Sequence, residues 1–121
     1  MMNPIISESV YKILTNLIRR KKTIDAQPLV EELSKAMIVK DNFLDSKIVT
    51  LNSIVEFVSS SFKKPIRLQI VLPEFADLKQ KKISILSPIS IALLGFKETD
   101  SFIWKMPSGF KNLKIIKVIN S

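Results

Sequence analysis

Few side chains in this chain can do chemistry, and the densest group is the cationic run Arg19-Arg20-Lys21-Lys22, with Asp25 shortly after it. Four adjacent cations can meet phosphate groups or the acidic wall of a channel. The same run suits the end of a helix, where the backbone dipole is negative. Asp25 stands alone and fits a helix cap better than a metal ligand. A second set, Lys79, Lys81 and Lys82, precedes a strand that leads into Ser87-Pro88. Ser87 is an N-cap type, and Pro88 fits a first helical position, where a missing N–H costs nothing. Glu31 and Glu32 fall in the first turns of a helix and suit its dipole.

Absences narrow the chemistry further. The chain has no histidine and no cysteine. That removes zinc fingers, Ser-His-Asp triads, Cys-His nucleophiles, histidine bases and disulfides. The only glycines are Gly95 and Gly109, so no glycine-rich phosphate loop is available. Neither catalysis, nor a cofactor, nor a bound metal is expected. Net charge is +8 and uneven: residues 1–46 carry seven Lys/Arg against six Asp/Glu, and residues 47–121 carry twelve against five. The basic second part suits a nucleic-acid backbone or an acidic protein surface, although a lysine-rich solvated surface has the same composition.

The elements that must hold these residues follow from apolar spacing. Hydrophobic content of 46% with 25% charged residues is that of a folded chain, and 121 residues allow one small core with an appended arm. A first helix is expected from Ser7 to Lys21, with Val10, Leu14, Leu17 and Ile18 on one stripe and Ile13 beside it. A turn at Thr23-Ile24-Asp25 leads to a second helix from Asp25 or Gln27 to Met37, with Pro28 in its first turn. Leu29, Val30, Leu33 and Met37 then face the first helix, giving a short antiparallel helical hairpin. Residues 40–46 read as a linker pinned by Phe43 and Leu44.

Beyond the linker the period drops to two. Val49, Leu51, Val55 and Phe57 mark one strand, and Ile66, Leu68, Ile70 and Leu72 a second. A third lies near Lys82–Leu86. Ser87-Pro88 opens a short helix with an Ala92-Leu93-Leu94 face, and Gly95 stops it. Strands at Ser101–Met106, with Trp104 inward, and Lys111–Ile119 complete an α+β set around Pro107-Ser108-Gly109. No apolar run approaches the ~20 residues needed to cross a bilayer, and the N-terminus lacks a signal-peptide layout, so a cytoplasmic location is expected.

The particular residues go further. The unit from Ser84 to Asp100, with Ser87-Pro88, a short apolar helix, Gly95 and an acidic turn, resembles the C-terminal domain of the GreA/GreB transcript-cleavage factors. Val49-Thr50-Leu51-Asn52-Ser53, Ile70-Val71-Leu72-Pro73, Ala92-Leu93-Leu94-Gly95 and Trp104-Lys105-Met106-Pro107-Ser108-Gly109 follow, in order, the pattern of the Rnk-like (regulator of nucleoside diphosphate kinase) branch. Two positions depart from it. Thr99-Asp100 stands where that family usually has Gly-Asp, and Leu86 stands where Gre factors commonly carry Asp or Asn before Ser-Pro.

The resemblance implies a helical hairpin over residues 1–46 and, over 47–121, an FKBP-like half-barrel of about five antiparallel strands around one short helix. It implies that the Ser87-Pro88 turn faces the RNA polymerase β′ subunit at the rim of the secondary channel; Lys79, Lys81 and Lys82, which precede the strand leading into that turn, are expected to contribute to polymerase binding. Gre factors carry paired carboxylates at the hairpin tip that hold Mg²⁺ for RNA cleavage. Here the hairpin is short and its tip is Arg19, Arg20, Lys21, Lys22 and Asp25, so binding without cleavage is expected. The domain over 47–121 is expected to dock without the arm. Other readings are a small basic module binding DNA or RNA through its sheet, and an FKBP-type prolyl isomerase with an aromatic pocket beneath the helix. The protein is expected to be a monomer.

Overall fold

Apolar residues at helical spacing wind Glu8–Lys21 into α1, burying Leu14 and Leu17. The structure, a computed structural model, describes residues 3–21 and 26–120, without the side chain of Lys21. Lys22, Asp25 and the turn expected at 23–25 therefore lie outside the described residues. Helix α2, Gln27–Lys35, starts with Pro28 in its first turn and buries Leu29 and Leu33. It ends two residues before Met37, because Ala36 is extended and Met37 opens a strand. Met37 is exposed there rather than buried in the hairpin.

Two three-residue strands, β1 (Ile5–Ser7) and β2 (Met37–Val39), flank the helices and pair in parallel, Ile5 with Met37 and Ser7 with Val39. The linker after β2 holds a 3-10 turn at Asp41–Phe43, whose Phe43 ring is exposed and pins nothing. Asp41 does the fastening instead: its Oδ1 accepts from the Ser9 amide at 3.0 Å, in the first turn of α1.

Alternation then builds the five-stranded sheet from β3 (Ile54–Ser59), β4 (Ile66–Val71), β5 (Lys82–Ser84), β6 (Ser101–Met106) and β7 (Gly109–Ile119). The strand order is β5-β4-β3-β7-β6. The β3, β4, β6 and β7 pairings are antiparallel, but β4 and β5 run parallel, so the sheet is mixed. The ten-residue connection between β4 and β5 makes this possible, since it carries the chain back before β5 begins. The first strand starts at Ile54, later than its apolar pattern suggests. Residues 49–53 instead form a turn in which the Thr50 amide donates to Ser53 Oγ at 2.8 Å. Asn120 closes that turn, accepting from the buried Ser53 hydroxyl and donating to the Ile48 carbonyl at 2.8 Å.

In β7 the register shifts opposite Glu56 and Phe57, and Ile116 is the residue without a partner. The bulge leaves Ile116 and Lys117 both outside, between the inward Ile115 and Val118.

The short helix α3, Pro88–Leu93, packs beneath the sheet. Leu14, Leu17, Leu29 and Leu33 of the helices share one buried cluster with Val55, Phe57, Ile70, Leu93, Leu113 and Ile115. Apolar burial on both sides of residue 46 is thus continuous. Phe96 lies 4.6 Å from Phe102, and Trp104 meets both rings edge-on at 6.3 and 6.2 Å, half-buried as its inward register requires.

Candidate functional site

The start of α3 concentrates what the sequence singled out. The Ile85 amide donates to Val71 O at 2.7 Å, which carries the chain off the end of β5. Ser84 Oγ accepts from the Leu86 amide at 3.0 Å, and the Ser87 amide donates to Ser84 O at 3.0 Å, shaping a tight turn. Ser87 Oγ accepts from the Ser90 amide at 3.4 Å and donates to the fully buried Ser90 Oγ at 3.0 Å. Both roles of that hydroxyl point inward. Ser87 is the cap, and the exposed Pro88 ring is the surface it presents. Leu86 packs against the core, so this departure from the resembled pattern serves burial here.

Lys79, Lys81 and Lys82 sit at the other end of β5, a strand of three residues. Lys79 and Lys81 are exposed. Lys82 is half-buried rather than fully solvated, and its backbone exchanges two hydrogen bonds with Asp77, each 2.9 Å. Asp77 organises this loop further, accepting from the Lys79 amide at 3.0 Å and from Gln80 Nε2 at 2.9 Å. Lys81 has φ +58, a left-handed turn position. The structure therefore brings the three lysines together and leaves them separated from Ser87-Pro88 by the length of β5.

Two surface residues in the same connection escaped sequence reasoning: Phe75 is 63% exposed and Leu78 80% exposed. Phe75 follows β4 and Leu78 lies beside Lys79, so large apolar groups flank the lysines. Their signal was two bulky apolar residues in a segment that shows neither period, between Pro73 and Lys79.

At the far end of α1, Arg19 and Arg20 are exposed and line a shallow depression with Ile13 and Asn16. No group of three or more His, Cys, Asp or Glu side chains capable of holding a metal occurs among the described residues. A separate cleft of about 410 Å³ opens on the inner side of the sheet, lined by Phe57, Phe62, Ile66, Ile89 of α3 and Met106, with Lys111 also on its wall. It is the place an isomerase reading needs, but a pocket in a fold does not carry an activity.

The turn from Lys97 to Asp100 joins α3 to β6. The Asp100 carboxylate accepts from the Lys97 amide at 2.8 Å, and the Thr99 amide donates to Ile115 O at 2.9 Å. Thr99 adopts φ +78, the conformation that glycine takes without cost. Lys97 Nζ lies 2.8 Å from Asp45 Oδ2. The Lys97 ammonium, and after it the Lys47 amide, hold the Asp45 carboxyl below its ordinary range, and Asp45 in turn raises the Lys97 ammonium above its own. Hydrogen bonds from Ser9, with Lys12 nearby, likewise hold Asp41 low.

Residues 44–120 match the family model described as the C-terminal part of the transcription elongation factor GreA/GreB. The chain is 34% identical over 92 residues to the transcription elongation factor GreA of Pelobacter propionicus, covering 76% of this chain and 58% of that protein. It is 30% identical over 84 residues to the regulator of nucleoside diphosphate kinase of Escherichia coli K12, covering 69% of this chain and 62% of that one. A solved GreA/GreB structure from Nitrosomonas europaea superposes with a TM-score of 0.77 at 30% identity, covering 99% of this chain and 100% of that chain. The chain spans about three fifths of the length of the curated relatives it matches. Among the described residues, no helix is long and apolar enough to cross a membrane.

Proposed function

The chain belongs to the GreA/GreB transcription elongation factor family and is Rnk-like within it; from that premise we propose that it binds RNA polymerase at the secondary channel and regulates elongation without cutting RNA. In this reading residues 47–121, an FKBP-like half-barrel, dock on the β′ subunit at the channel rim. Residues 1–46, a short helical hairpin, obstruct the entrance and so compete with Gre-type factors. The protein acts in the cytoplasm as a monomer.

The observation that carries the reading is the exposed Pro88 ring, held by the Ser87 cap at the start of α3, inside the stretch that matches the family. The absence of cleavage rests on length and charge. Helix α1 has 14 residues and reaches about 21 Å at 1.5 Å per residue. The sequence at its far end, Arg19 to Asp25, offers one carboxylate, where two-metal chemistry needs several anionic oxygens. The test is a binding and competition assay with core RNA polymerase and GreA or GreB, run beside a cleavage assay on backtracked complexes. Binding with competition and no RNA shortening is expected. Absence of binding, or Mg²⁺-dependent shortening of RNA, overturns the proposal.

A further inference from the structure

The sheet has a second face, turned away from the core, on which the register sets cations along a track that ends at an aromatic ring. Lys105 of β6 pairs with Phe110 of β7, Ile103 with Asn112, and Ser101 with Lys114. On the neighbouring strands Lys117 pairs with Glu56, and Glu56 with Arg67. Lys105, Lys114, Lys117 and Arg67 are all exposed. Phe110 is 72% exposed and Ile103 68%. None of these four cations takes part in the two ion pairs among the described residues, Lys35–Glu32 and Lys97–Asp45. Residues 57–72 and 101–121 contain no Asp or Glu at all, so Glu56 is the one acid in these rows.

We propose that this outer face binds single-stranded nucleic acid, with Lys105, Lys114, Lys117 and Arg67 on the phosphates and Phe110 stacking against a base. An acidic protein would meet the same charge, but its apolar anchors need a pocket to fill. The cleft described above is lined by residues of the opposite face, Phe57, Ile66 and Met106. The outer face instead offers an open ring, and a base stacks on a ring without a cavity. Asn112, two residues along β7 from the ring, and Ser101, opposite Lys114, are both exposed and add polar groups able to reach a base edge or a sugar. A duplex keeps its bases stacked and can use only the cations, so a single strand gains more from this surface. The β7 bulge contributes directly. By leaving both Ile116 and Lys117 outside, it restores Lys117 to the face that Lys114 occupies. The surface is independent of polymerase docking, and either proposal stands if the other fails.

Fluorescence anisotropy on the full chain tests it, with a short single-stranded RNA, the matching DNA strand and the duplex as probes across a salt series. The logarithm of affinity should fall linearly with the logarithm of salt, by about 0.7 per phosphate contacted. Replacing Lys105, Lys114 and Lys117 by Ala should lower that slope by about 2. Phe110→Ala should weaken single-strand binding roughly tenfold at every salt concentration without changing the slope. A triple Lys12→Ala, Lys40→Ala, Lys47→Ala variant removes the same charge elsewhere and should bind within about twofold of the parent after its small, diffuse charge effect. A slope near zero overturns the proposal. So does equal weakening by the two lysine triples, an unaffected Phe110→Ala variant, or displacement of RNA by poly-glutamate as effectively as by unlabelled RNA. The last result would assign the face to an acidic protein.

Discussion

The Ile5 amide donates to the Gly95 carbonyl at 3.0 Å, tying β1 to the end of α3. Gly95 in turn donates to Val49 O at 2.9 Å, while the Val49 amide reaches Phe96 O at 2.8 Å. Three stretches distant in sequence thus meet on one glycine. Its φ is +84, and a Cβ there would collide with Pro4 Cβ and lie 2.8 Å from the Ile5 nitrogen.

Gly95→Ala should therefore cost roughly 3 kcal/mol, combining left-handed strain with overpacking against backbone. Thermal unfolding should drop by about 10 °C. Gly109 serves as comparison: its φ is +118, and a methyl group added there would have nothing within 4 Å. Its alanine variant should lose less, because only strain is added.

Thr99→Gly should have the opposite sign. A β-branched residue at φ +78 is strained, and glycine relieves more than it adds in chain entropy. A gain of about 1 kcal/mol is expected in denaturant titration. A loss would mean that the threonine side chain stabilises the turn.

Charge reversal at Lys79 and Lys81 should weaken polymerase binding while moving stability by less than ~0.5 kcal/mol, because both side chains are exposed. Lys82 belongs to a different class. It is half-buried in β5, so its reversal is expected to disturb folding as well. Unchanged affinity in the Lys79, Lys81 variant would reduce the patch to plain surface.

Leu14 is fully buried and Leu33 nearly so, both inside the cluster that includes the sheet. Alanine at either should cost ~2–5 kcal/mol. Because the cluster is continuous, the loss should appear as a shift of one cooperative transition by circular dichroism and by Trp104 fluorescence alike. Separate transitions would show that the helices melt independently of the sheet.

Acid sensitivity follows from Asp41 and Asp45, both held below the ordinary carboxylate value of 3.8. A depressed folded-state pKa gives stability that is present above pH 3.8 and lost as pH falls through the folded value. Lys97, raised above 10.5, keeps its side of the ion pair until pH climbs past that point. Melting temperature should fall below about pH 4. An Asp41→Asn, Asp45→Asn variant should be less stable than the parent above that pH and converge with it below. A constant difference across the range would remove the carboxylates as the cause.

Much of this architecture was legible because its signals are local. Ser101–Met106 alternates cleanly and is a strand over those residues; Ser87, Pro88 and Gly95 bracket α3 as cap chemistry requires. What escaped is non-local or too short to show a period. Strands β1 and β2 have three residues each, and pairing rather than pattern defines them. The Asp41 cap on Ser9 spans 32 residues of sequence. The parallel β4–β5 pair depends on how a loop returns, and the Ile116 bulge interrupts an otherwise regular alternation. At the candidate site the cap and the exposed lysines could be read directly. Phe75 and Leu78 could not be told from buried residues without the fold.

The position of β6 at the sheet edge has a consequence for handling as well as for recognition. Its outer backbone groups are a template for another strand, and Ile103 faces solvent from its centre. Lys105 and the net charge of +8 keep neighbouring copies apart. That repulsion reaches only ~8 Å at physiological ionic strength and ~3 Å in molar salt. Salting concentrated protein therefore removes its colloidal protection while strengthening apolar attraction.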